Sequence, residues 1–179
     1  MPEAPGLTPS QTTGPYLSIG LLRDLVPTIL VDPDDAAAIR IRGRLLDGVG
    51  DVVPDGLIEI WQASPAGVYG ARDFAGYGRS GTADDGRFEF VTVKPGPVAW
   101  PAGGLQAPHI AVGIFARGLL KRVATRLYFP DEIEANGTDP VLAGLPPGGR
   151  ESLIAIAEDD ALRFDIRLQG PQETTFFAV

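Results

Sequence analysis

An antiparallel β-sandwich with an extended N-terminal arm is the fold this sequence predicts, and three features predict it. From residue 39 onward, short apolar runs, several of them alternating with polar residues, follow one another between turn signals. Gly and Pro are abundant, at 23 and 17 of 179 residues, which favours many turns joining many strands. Before residue 39, Pro2, Pro5, Pro9, Pro15, Pro27 and Pro33 rule out a long helix.

The elements follow in order. Residues 1–38 form the expected arm, and residues 39–179 the sandwich domain. The arm is too apolar to remain in water: Tyr16, Leu17, Ile19, Leu21, Leu22, Leu25, Val26, Ile29, Leu30 and Val31 demand burial on its own core or on another chain. Ile39, Ile41, Gly43 and Leu45 alternate with Arg40, Arg42 and Arg44, the pattern of a half-buried strand with a basic outer face. Asp47-Gly48 and Pro54-Asp55-Gly56 mark turns, and Leu57–Gln62 (LIEIWQ) is the next strand. Asp85-Gly86 supplies the turn before Phe88–Val93. His109–Phe115 and Val123–Phe129 flank a turn at Arg117-Gly118. Leu162–Leu168 alternates as a single strand, and Glu173–Phe177 reads as a final edge strand. Glu151–Glu158 alone has a helical look.

Composition narrows the function. Hydrophobic residues at 44% predict a packed globule, and 179 residues suit one domain with a sizeable core. A net charge of -8 disfavours nucleic acid and anionic membranes as partners. With no cysteine, thiolate-metal, disulfide and thiol-nucleophile chemistry are excluded. No apolar run approaches the roughly 18 residues of a membrane span, and the N-terminus lacks the basic and apolar regions of a signal peptide, so a cytoplasmic protein is expected.

Reactive groups are few. The single histidine, His109, lies in an apolar strand and reads more readily as a hydrogen-bonded structural residue than as a ligand. No G-x-S-x-G elbow accompanies it. One histidine forbids an all-histidine metal site. Tyr69 and Tyr77 lie in a Gly-rich loop, where tyrosinate ligation competes with packing over the end of the sandwich. Asp84-Asp85-Gly86 matches a calcium loop for two residues, and a hairpin turn explains it better.

Several segments, in order, resemble the intradiol ring-cleaving dioxygenase family. Thr8–Tyr16 (TPSQTTGPY) is similar to the signature that opens these chains. Leu57–Gln62 resembles the family's EIWQ strand, and Thr92–Pro97 its TVKPGP turn. Thr125–Phe129 (TRLYF) and Arg163–Arg167 (RFDIR), the latter followed by Gln169-Gly170, resemble two later segments. Together they span residues 8–177. Lys94–Ile114 resembles the stretch that holds Fe(III), where the family carries KPGPYPW and then RPAHIH. Here Val98 stands at the tyrosine, Gln106 at the arginine and Ala111 at the second histidine, and His109 remains. The other ligand tyrosine belongs to the loop after Trp-Gln. The matching loop, Ala63–Arg79, is shorter and aligns no tyrosine with it.

What the resemblance implies is the non-iron-binding, alpha-type half of a two-chain family member. Its beta-type partner would hold the Fe(III), the two chains would build a larger oligomer, and the substrates would be protocatechuate and O2. The product of intradiol cleavage would be 3-carboxy-cis,cis-muconate. This chain would bind no metal and supply no catalytic residue. Carried over residue by residue, Thr12, Gly14, Tyr16 and Arg126 would line the substrate pocket. Their chemistry suits that role: Gly14 permits close backbone approach, Tyr16 offers a ring with a hydroxyl, and Arg126 a planar fork for a carboxylate. The competing expectation is a non-catalytic, transthyretin-like sandwich that binds without reacting.

Overall fold

The computed structural model describes residues 10–12, 14, 20–22 and 28–178. Two sheets enclose one main core. In the first, β1 (Ala38–Leu46) pairs antiparallel with β4 (Arg87–Val93), in register from Ala38↔Val93 to Arg44↔Arg87. On its other edge β1 pairs parallel with β10 (Leu162–Arg163) and β11 (Ile166–Arg167), and β9 (Ile156–Ala157) adds to β10 antiparallel. The second sheet is antiparallel throughout, in the order β3 (Tyr77–Gly81), β2 (Leu57–Gln62), β7 (His109–Phe115), β8 (Val123–Tyr128). A small hairpin, β5 (Val98–Ala99) with β6 (Leu105–Gln106), leads into β7.

Alternation decides which residues meet. Ile41, Leu45, Phe88 and Phe90 from the first sheet pack against Ile58, Ile60, Ile110, Ile114 and Leu127 from the second. Gln62, from the Trp-Gln pair, points inward with them. It is fully buried and satisfied across the core: Nε2 donates to the Val93 carbonyl at 2.8 Å, and Oε1 accepts from Thr92 Oγ1 at 3.0 Å. A buried amide without those partners would be costly, so this pair fixes how β2 sits over β4.

Three sequence expectations need correction. Leu162–Leu168 is two short strands, not one. Phe164 N–H donates to the Arg42 carbonyl, but the Arg44 N–H turns to the Asp165 carboxylate at 3.0 Å. The register is the same on both sides, Ile41↔Leu162 and Leu45↔Ile166, so the interruption is a local bow and not a slip. Gly43 is what allows it, since a Cβ there would lie 1.9 Å from the Phe164 carbonyl oxygen. The helix expected at Glu151–Glu158 is absent. Leu153 and Ala155 instead bond to both backbone groups of Tyr128, and the pairing edge of β8 overrides local propensity. The described helices lie just before it: α1 (Ile133–Thr138), α2 (Pro140–Ala143) and α3 (Pro147–Glu151). Finally, Glu173–Phe177 forms no strand: it meets the second sheet at a single backbone bridge, Ala124 with Phe177, and where Thr125 Oγ1 donates to the Thr175 carbonyl at 2.7 Å.

The arm meets the sandwich at several described points. Thr28 and Leu30 bond to Val91 on the free edge of β4. Leu21 and Leu22 lie against β3, and Thr12 Oγ1 accepts from the Gly118 N–H at the tip of the β7–β8 hairpin, at 2.8 Å. Asp84-Asp85-Gly86 is the β3–β4 turn, with Gly86 at φ 75°.

Candidate functional site

The outer face of the second sheet gathers the chemistry. Strand register sets it out in rows: Tyr77, Trp61, Ala111 and Arg126 lie side by side, and His109 lies beside Tyr128. The loop after Trp-Gln folds back over these rows. Tyr69 stacks on Trp61, ring centroids 5.7 Å apart, and brings its hydroxyl 3.5 Å from His109 Nε2. The sequence left Tyr69 between ligation and packing, and the structure brings it to the one histidine. Tyr77 is instead on a strand, with its hydroxyl on Glu59 at 2.7 Å.

His109 is 3% exposed. Its Nδ1 lies 2.8 Å from the Ala107 carbonyl, which can only accept, so Nδ1 carries the proton and Nε2 keeps the lone pair. Burial, then the charge of Arg126, lowers its pKa, and the imidazole is neutral at neutral pH. Burial also raises the pKa of the Tyr69 and Tyr128 phenols, which keeps both protonated.

Arg126 Nη1 donates to Gln106 Oε1 at 2.8 Å and to the Tyr128 hydroxyl at 3.2 Å, with its guanidinium 5.9 Å from the Phe177 ring centre. Tyr128 in turn donates its hydroxyl hydrogen bond to Asp139 Oδ1 at 3.2 Å. Asp139 is fully buried and organises the end of the sheet. Oδ2 accepts from Ala107 N–H, and Oδ1 accepts from Val141 and Leu142 N–H, which caps α2. Asp139-Pro140 is a cap followed by proline at the first helical position, a signal present in the sequence. Beyond Arg126 the face opens into a cleft of about 550 Å³, lined by Trp61, Tyr77, Ala111, Arg122, Arg126 and Phe177.

The donor set around His109 does not fit a ferric ion. A single imidazole is joined there by the Tyr69 phenol, by the Tyr128 phenol already held between Arg126 and Asp139, and by the Arg126 guanidinium, whose charge opposes a cation. Ala111 lies in register between Trp61 and Arg126 and has no ligating atom, and neither has Val98, paired with Gln106 in the small hairpin.

Of the residues expected to line a pocket, Arg126 is in this cleft. Thr12 contacts the far end of the β7–β8 hairpin from it, and Gly14 is exposed. Tyr16 lies outside the described residues. The structure does not bring Thr12 and Arg126 together within this chain.

A family model described as "Dioxygenase" matches residues 14–170. A protocatechuate 3,4-dioxygenase alpha chain from Burkholderia cepacia is 41% identical to this chain, covering 96% of it and 97% of the relative. The beta chain of the same enzyme from the same organism is 33% identical, covering 76% of this chain and 66% of the relative. Among solved structures, the dioxygenase domain of a dioxygenase and carbohydrate-binding fusion from Streptomyces sp. SirexAA-E superposes with a TM-score of 0.63. It is 26% identical, and the match covers 91% of this chain and 98% of that one.

Proposed function

This chain belongs to the dioxygenase family, and we propose that within it the chain is the alpha-type, iron-free subunit of a heteromeric protocatechuate 3,4-dioxygenase. The enzyme cleaves protocatechuate with O2, between the two hydroxyl-bearing carbons, to 3-carboxy-cis,cis-muconate. One observation carries the reading: a chain similar to the alpha relative over nearly its whole length holds, around His109, side chains that do not suit Fe(III). The iron is then bound by a beta-type partner, and it supplies the activation of catechol and O2. The similarity of this chain to both alpha and beta relatives supports a heteromer of two related sandwiches.

This chain's own part is positioning. The carboxylate of protocatechuate needs a fixed cation, and Arg126 offers a guanidinium already oriented by Gln106 and Tyr128. Thr12, Gly14 and Tyr16 of the arm are the residues we propose to line the rest of the substrate pocket at the interface with the partner. No proton transfer is assigned to His109, whose Nδ1 is committed to Ala107 and whose Nε2 faces Tyr69.

The test is coexpression with a beta-type chain that carries the family's full tyrosine and histidine set. The reading expects a stable complex that consumes O2 with protocatechuate and forms the ring-opened tricarboxylate. A chain that stays alone beside such a partner, with no activity gained, would reject it.

A further inference from the structure

The arm is tied to the sandwich by a device that the proposed activity does not by itself require. Glu59 on β2 and Arg79 on β3 are registered neighbours with side chains only 16% and 17% exposed. Glu59 Oε1 accepts three hydrogen bonds: from the Tyr77 hydroxyl at 2.7 Å, from Arg79 Nε at 2.9 Å and from Arg79 Nη2 at 2.6 Å. Arg79 Nη2 also donates to the Tyr77 oxygen at 2.9 Å. The cluster therefore neutralises itself within two adjacent strands. One donor points out of it: Arg79 Nη1, which reaches the Leu21 backbone carbonyl at 3.0 Å.

The next arm residue repeats the contact by shape. Leu22 lies over Gly81, the last residue of β3, and a Cβ at Gly81 would meet Leu22 Cδ1 at 2.6 Å. No positive φ requires glycine there, and what the missing side chain provides is room for Leu22. β3 is the edge strand of its sheet, and Leu21 and Leu22 cover part of that edge.

We propose that Arg79, oriented by Glu59 and Tyr77, together with the notch at Gly81, is a latch that positions the N-terminal arm. Arg79 and Gly81 are positioning residues: they act through the arm, whose Thr12 rests on the β7–β8 hairpin, and neither lines the cleft at Arg126. The consequence for substrate binding rests on the reading that the arm lines the pocket, whereas the latch itself does not.

Two variants test it. Arg79→Lys keeps a cation for Glu59 but cannot hold Glu59, Tyr77 and Leu21 at once, because it lacks the fork. Gly81→Ala leaves the ion pair intact and sets a methyl 2.6 Å from the end of the Leu22 side chain, which has only to turn out of the notch. Amide hydrogen exchange is measured on the chain itself, and KM and kcat for protocatechuate on its complex with the beta-type partner. In Arg79→Lys, exchange in the peptide spanning residues 10–22 should rise about 10-fold or more, and in Gly81→Ala by a smaller step, with β1 and β7 keeping their protection. KM should rise roughly 5-fold or more with kcat within about 2-fold, the signature of lost binding without lost chemistry. Arm exchange unchanged in Arg79→Lys overturns the latch. Exchange raised throughout the sandwich overturns it too, because it would assign the cluster to general stability. Raised arm exchange with unchanged KM upholds the latch and rejects the arm as a wall of the pocket.

Discussion

At the scale of single residues, His109 and Arg126 differ in what each side chain does. His109 is buried, so protonating it on the way to acid pH opposes folding. Its folded pKa lies below the ordinary value of about 6.5, so the unfolded chain binds the extra proton first. The stability it contributes is complete above that pH and declines as pH falls through the window below it, by at most about 1.4 kcal/mol per pH unit. Comparing urea midpoints of the wild type and His109→Gln from pH 7.5 to pH 5 should show a shallower decline in the variant. Equal declines would mean that His109 is not held neutral. Arg126 is expected to act on substrate. A charge-assisted hydrogen bond is worth roughly 1.5–3 kcal/mol, so Arg126→Ala in the complex should weaken protocatechuate binding about 10- to 150-fold. Catechol, which has no carboxylate, should lose much less, and Arg126→Lys should recover only part. Oxygen-uptake kinetics on both substrates decide it; equal losses would place Arg126 in support of the fold, through Gln106 and Tyr128. His109 as a buried, hydrogen-bonded residue was legible from its apolar strand, and so was the place of Arg126 on the neighbouring strand. Tyr69 as a neighbour of His109 was not, since that contact depends on a loop folding back across forty residues.

At the scale of elements, what could be read depended on side-chain period. β1, β2, β4, β7 and β8 carry apolar alternation, and each was placed to within a residue or two. β3 (YGRSG) has no apolar alternation, because its outward row is spoken for by Tyr77 and Arg79 and its inward row by small residues. The helices are four to six residues long, too short for a 3.6-residue period to declare itself. The bow between β10 and β11 was hidden for another reason: Phe164 and Asp165 fit an alternating pattern, and only the partner strand shows the Asp165 carboxylate standing in for a ladder carbonyl. Gly43 is where this matters most. Gly43→Ala sets a methyl against backbone at 1.9 Å, which must shift β1 or the bow, and should cost about 2–4 kcal/mol in chemical denaturation. A cost below about 0.5 kcal/mol would mean that the Phe164 segment yields freely.

At the scale of the whole molecule, the sandwich is a scaffold and the arm is its reach. The described arm residues touch β4, β3 and the β7–β8 hairpin, while Ile29, Leu21 and Leu22 stay substantially exposed on this chain alone. Burying apolar surface is worth about 25 cal/mol per Å², so covering those side chains with a partner would strengthen assembly. Removing residues 1–38 should therefore leave a folded but poorly soluble sandwich that no longer pairs stably with a beta-type chain, as judged by size-exclusion chromatography. A truncate that assembles and turns over normally would show the arm to be dispensable. No helix among the described residues is long and apolar enough to cross a membrane. Iron distinguishes an alpha-type chain from a self-sufficient one, and the most direct measurement is metal content and visible absorption of this chain, purified alone after growth with iron and again as the coexpressed complex. The chain alone should be colourless with iron far below one per chain. The complex should carry about one Fe(III) per pair, with the red-brown tyrosinate charge-transfer band expected of the family. A stoichiometric ferric signal from the isolated chain, held by its own residues, would contradict the account.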